Sequence, residues 1–176
     1  HVCGSHGGIH TGSDGSSAQS IEDLAIFRTL PGMTVVHPCD DLSAEELTVQ
    51  LKDIGGPSYM RTARNKTKRL YDDDSVGGLK IGNGSVLREG EDVAILSCGV
   101  MVEQSLEAAF DLSKEGIEST VVDMHTIKPL DAPLLDRVSK ECGCLVTAED
   151  HSVIGGLGGA VAEWLSFNRP IPLEMV

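Results

Sequence analysis

Three side chains near the start of the chain are of types that can hold a hydroxylated, charged small molecule. His6, His10 and Asp14 lie in the polar stretch His6-Gly-Gly-Ile-His-Thr-Gly-Ser-Asp14. Gly7, Gly8, Gly12 and Gly15 let such a backbone bend and approach a ligand closely. The stretch runs on into a helix start. Ser16 and Gln19 have capping-box spacing, so a helix is expected over residues 18–30, with Ile21, Leu24 and Ala25 on one face. Polar groups beside a helix's positive end suit an anion such as phosphate. The same pattern also fits a solvated loop, with Asp14 in an Asx-turn or complementing the helix dipole.

Other candidates lie further along. Arg61-Thr-Ala-Arg-Asn-Lys-Thr-Lys-Arg69 is a local basic run in an acidic chain. Glu149-Asp150-His151 sets acid and base together at the end of an expected strand, where sites in open parallel sheets lie. A metal or general-base role there lacks a matched third ligand. Gly155-Gly-Leu-Gly-Gly159 has neither the G-x-G-x-x-G pattern nor a P-loop lysine, so close helix–sheet packing accounts for it better. Cys142-Gly-Cys144 is too closely spaced for a zinc knuckle without a second pair.

The elements that must position these residues alternate between strand and helix. Met33-Thr-Val-Val-His37 reads as a short buried strand. Ser43-Ala-Glu-Glu46 reads as a capping box opening a helix with Leu47, Leu51 and Ile54 on one face. Ser58-Tyr-Met-Arg61 is the next strand, with Arg61 structural within it. Residues 65–90, rich in Asp and Gly, read as a turn-rich connection with short strands at 79–81 and 85–87. Strands then follow at 92–97, 117–123, 144–147 and 171–176. Helices are expected around 102–114, from Asp131-Ala-Pro133, and from 155 to near Phe167. On the first of these, Val102, Leu106, Ala109 and Phe110 share one face. The fold class is therefore α/β: two consecutive parallel-sheet domains, the first incomplete. The division falls at 1–70, a linker at 71–90, and 91–176.

Composition narrows the function classes. The 176 residues are 40% hydrophobic and 23% charged, enough for one large or two small cores. Aromatics are scarce (Phe 3, Tyr 2, Trp 1), so the cores are aliphatic, as suits a sheet buried on both faces. A formal net charge of −13 disfavours nonspecific nucleic-acid binding and attraction to anionic membranes. No window approaches the ~20 apolar residues of a membrane span, and residues 1–20 hold no signal-peptide core. Cys3, Cys39, Cys98, Cys142 and Cys144 are odd in number and scattered, which fits a reduced, cytoplasmic setting.

Several blocks, in order and nearly end to end, resemble the transketolase family. They are His6-Gly-Gly…Asp14-Gly…Glu22-Asp-Leu-Ala-Ile-Phe-Arg28…Pro31-Gly-Met-Thr-Val-Val-His-Pro38, then Arg61-Thr-Ala-Arg64, Thr126-Ile-Lys-Pro-Leu-Asp131 and Thr147-Ala-Glu-Asp-His151 with the glycines that follow. The resemblance implies the second half of a pyrimidine-binding domain over 1–70 and a transketolase C-terminal domain over 91–176. It implies that His6 and Arg64 bind the phosphate of a sugar while Asp14 contacts a sugar hydroxyl. Planar paired donors on a guanidinium suit phosphate oxygens; the plain alternative for Arg64 is a surface ion pair with an aspartate at 72–74. Ala18 departs from the family, where a histidine or glutamine contacts the substrate.

The implied reaction moves a two-carbon ketol unit between phosphorylated sugars. The implied cofactor is thiamine diphosphate with a divalent metal, Mg or Ca, bound mainly by parts not in this chain. An N-terminal transketolase part or subunit and a homodimer are the implied partners, and this chain alone is expected to be inactive. Rival readings are deoxyxylulose-phosphate synthase, a 2-oxo acid dehydrogenase β-subunit, or a non-catalytic assembly module.

Overall fold

A computed structural model describes residues 1–176, and its elements follow the aliphatic runs. The strands are Val2–Ser5 (β1), Thr34–Val36 (β2), Ser58–Thr62 (β3), Ser85–Arg88 (β4), Val93–Ser97 (β5), Ser119–Asp123 (β6), Thr126–Lys128 (β7), Leu145–Ala148 (β8) and Leu173–Met175 (β9). The α-helices are Asp23–Thr29 (α1), Asp41–Leu51 (α2), Met101–Lys114 (α3), Ala132–Glu141 (α4) and Leu157–Asn168 (α5). They build two sheets, ordered β1-β3-β2-β7 and β4-β6-β5-β8-β9. Every pairing is parallel except the edge strands β7, antiparallel to β2, and β4, antiparallel to β6. The class is α/β.

The halves share one apolar core. Leu24, Val35 and Tyr59 of the first half cluster with Leu96, Val122, Leu145, Leu157 and Leu165 of the second. Phe27 stacks on Tyr59 with ring centroids 3.9 Å apart. β7 strengthens the union: it follows β6 of the second sheet yet completes the first.

Local chemistry explains where the elements differ from expectation. Residues 2–5, read as loop, form β1, because they find the free edge of β3 in register, Val2 opposite Tyr59 through Ser5 opposite Thr62. α1 starts at Asp23, not near residue 18, and Ser16 caps nothing. The Gln19 N–H that Ser16 would cap donates instead to Gly15 O at 3.3 Å, and the Gln19 side chain turns back toward the carbonyls of Ile9 and Gly12. The box that opens α2 is built on Asp40, with Ser43 as its second member rather than its first. Asp40 wins because its other oxygen also accepts the N–H groups of Leu70 and Tyr71, at 2.8 and 3.0 Å. Phe110 lies exposed with the Lys114 ammonium over its ring, since Val102, Ser105 and Ala109 make the buried line of α3. Residues 79–81 form no strand, whereas 85–88 form β4 at the edge of the second sheet.

Candidate functional site

β1 and β3 run parallel, so the loops leaving their carboxyl ends emerge side by side. His6 directly follows β1, and its N–H donates to Thr62 O at 3.2 Å. Arg64 lies two residues beyond β3. The loop after β1 turns through a short 3-10 segment, Ile9–Asp14, and brings Asp14 back onto this edge. There the Asp14 carboxylate takes two donors from one guanidinium, the Nε and the Nη2 of Arg64, the latter at 3.1 Å from Oδ1. Both side chains are about one-third exposed, and Arg64 Nη1 donates to Asn65 Oδ1 at 3.3 Å. The ion pair foreseen for Arg64 with residues 72–74 does not form.

His6 joins this edge without touching the pair. Its Nδ1 meets Ser5 Oγ at 2.7 Å, and the side chain is exposed. It is the one non-glycine residue with a positive φ, +71°. That left-handed backbone costs about 1–3 kcal/mol and is held here by the Thr62 carbonyl and by the Thr11 hydroxyl, which donates to His6 O. His10, a further candidate, turns inward: its Nδ1 lies 3.7 Å from Asp150 Oδ2. The structure therefore brings Asp14 and Arg64 into contact and sets His6 on the same edge.

Beneath the loop lies a charge network that composition and spacing do not announce. Arg61 is 1% exposed and points its Nη1 to Asp23 at 3.4 Å and its Nη2 to the carbonyl of Asp150 at 2.7 Å. The Tyr59 hydroxyl donates to the other oxygen of Asp23 at 2.6 Å. Burial, reinforced by that carboxylate, raises the Tyr59 pKa. The acids of Glu149-Asp150-His151 are consumed by backbone donors. Glu149 accepts the N–H groups of Leu157 and Gly158, both at 2.8 Å, and so caps α5. Asp150 accepts from Ile9 and His10. The sequence signal for this network is the arginine within the strand Ser58-Tyr-Met-Arg61.

Comparison with known proteins places the fold. The sequence model of the transketolase pyrimidine binding domain matches residues 1–69, and that of the transketolase C-terminal domain matches residues 82–174.

The chain belongs to the transketolase family.

Among its transketolase relatives is a protein described as a transketolase C-terminal section from Methanocaldococcus jannaschii, 40% identical over 95% of this chain and 52% of the relative. Another is a 6-deoxy-6-sulfo-D-fructose transketolase subunit from a Clostridium species, 42% identical over 99% of this chain and 54% of the relative. A solved structure described as a split gene transketolase, an inactive β4 tetramer, superposes with a TM-score of 0.90 at 42% identity, covering 99% of this chain and 56% of that one. The chain thus spans about half the length of the relatives it matches. No helix is long and apolar enough to cross a membrane.

Thiamine diphosphate dependence comes with the transketolase family. The residues present do not fit the diphosphate and its metal: Glu149 and Asp150 are each engaged by two backbone N–H donors, and no group of three potential metal ligands is assembled. Next to Ala18, the Gln19 amide turns toward the carbonyls of Ile9 and Gly12.

Proposed function

We propose that this chain is the C-terminal part of a thiamine diphosphate-dependent transketolase and transfers a two-carbon ketol unit between phosphorylated sugars together with an N-terminal part or subunit. Its own contribution is a wall of the substrate cleft. Residues 1–70 serve as the end of the pyrimidine-binding domain, and 91–176 as the C-terminal domain, joined by 71–90. The subunit described among the relatives supports a separate N-terminal partner. Exposed Ile9, Ile26 and Ile154 are apolar surface consistent with assembly, including pairing with a second copy. The odd cysteine count favours a cytoplasmic setting.

One observation carries the reading: Arg64, oriented by Asp14, shares the carboxyl edge of β1 and β3 with a histidine held in a strained backbone. The carboxylate presets the guanidinium plane, and the second N–H of Nη1, beyond the one given to Asn65, is left for a phosphate oxygen. His6 supplies a further donor, and Asp14 retains lone pairs for a sugar hydroxyl. Replacing Arg64 by Ala in the assembled enzyme removes charge-assisted hydrogen bonds worth about 1.5–3 kcal/mol. KM for phosphorylated sugars is expected to rise by about ten- to a hundredfold. An unchanged KM would remove Arg64 from the phosphate grip and with it this reading of the edge.

A further inference from the structure

We propose that Asp150, carried by the second sheet, is the positioning residue that sets the substrate-facing loop between His6 and Asp14. The inference deepens the proposed function and rests on that reading for its link to sugar binding. Outside its ends, where the Thr62 carbonyl holds His6 and Arg64 holds Asp14, the loop between β1 and α1 has few anchors to the rest of the chain. The N–H of Gly8 donates to Ser20 O at 2.6 Å, and Asn65 Nδ2 donates to His10 O at 3.1 Å. The two consecutive N–H groups at its middle, those of Ile9 and His10, both point at one carboxylate. Ile9 N donates to Asp150 Oδ1 at 2.9 Å and His10 N to Oδ2 at 3.4 Å.

That carboxylate is itself fixed. Its side chain is 4% exposed, and Oδ2 lies 3.7 Å from Arg61 Nη2, while Arg61 is tied at its other end to Asp23. Gly7 and Gly8 lie flat on this pair. A Cβ at Gly8 would stand 1.9 Å from Asp150 Oδ2 and 2.2 Å from Arg61 Nη2, and one at Gly7 would stand 2.6 Å from Arg61 Nε. The glycine pair therefore exists so that the backbone can reach Asp150. His6 lies just before these glycines, and Asp14 closes the 3-10 segment that Ile9 opens. A shift of Ile9 and His10 moves both ligating side chains together. Asp150 touches no reacting group; it acts through the backbone. The second domain thereby tunes binding at a site to which it contributes no side chain.

The test is Asp150→Asn in the assembled enzyme, with Gly8→Ala as a second route to the same displacement. Both are expected to raise KM for a phosphorylated ketose about tenfold and KM for an unphosphorylated ketose less, since the latter loses only the Asp14 contact, with kcat within about twofold. In the isolated chain, amide exchange at Ile9 is expected to quicken about tenfold while that of Leu96 and Val121 stays slow. Unaltered exchange at Ile9, or a fall in kcat equal for both sugars, would overturn the proposal. Failure of the underlying reading shows separately, as an Arg64→Ala enzyme with unchanged KM.

Discussion

At the scale of single residues, burial decides which acids and bases this chain holds uncharged. Asp123 ends β6 with no exposure, and burial pushes its carboxyl up from 3.8 to about 7, with repulsion from Asp40 adding to the effect and hydrogen bonds from Tyr71 and Cys39 opposing it. Its folded value exceeds its unfolded one, so its stabilisation is complete below pH 3.8 and is lost as pH climbs to about 7. His125 behaves oppositely: burial lowers it from 6.5 to about 4, despite Asp131, so its contribution holds above pH 6.5 and is lost as pH falls. His37 is also driven well below 6.5, by burial first and then by the Arg61 charge. Between pH 6.5 and about 5 the two histidines outweigh the one acid. Stability then falls on acidification. Asp123→Asn keeps an acceptor for the Tyr71 hydroxyl and removes the buried charge. Urea unfolding should show the variant about 1–3 kcal/mol more stable at pH 8, with little change at pH 5. Equal or lower stability at pH 8 would contradict this view of Asp123.

At the scale of elements, the chain uses long-range polar contacts to end what local signals begin. Lys128, in β7, lays its ammonium on the carbonyls of Arg28 and Leu30, at 2.7 and 2.6 Å, and so satisfies the end of α1. Lys128→Met is expected to cost about 1–3 kcal/mol in chemical denaturation, because orphaned carbonyls follow. Glu163→Ala, which breaks the exposed end of the Arg28 pair, should cost under about 1 kcal/mol. A reversed order would refute the capping role. Legibility follows the same division. The helices α2, α3, α4 and α5 and the strands β5, β6 and β8 were readable because apolar periodicity is local. β1 and β7 were not: three- and four-residue strands take their identity from the edge they join. The start of α1 differs because the Gln19 N–H, which Ser16 would cap, goes to the Gly15 carbonyl.

At the scale of the whole molecule, the two sheets act as one body over a shared core, and the loop at the carboxyl edge of β1 and β3 is braced by the second sheet. Only the order of blocks along the chain puts His6, Asp14 and Arg64 forward together as candidates, since fifty residues separate Asp14 from Arg64; the structure joins the last two. The bracing by Arg61 and Asp150 was hidden, because both are charged residues whose partners lie far off in sequence. The most direct measurement is a crystal structure of the assembled enzyme with a phosphorylated ketose. The account predicts phosphate oxygens within about 3 Å of Arg64 and of the His6 ring, and a sugar hydroxyl on Asp14. A phosphate bound elsewhere, with Arg64 and Asp14 facing only each other, would contradict it.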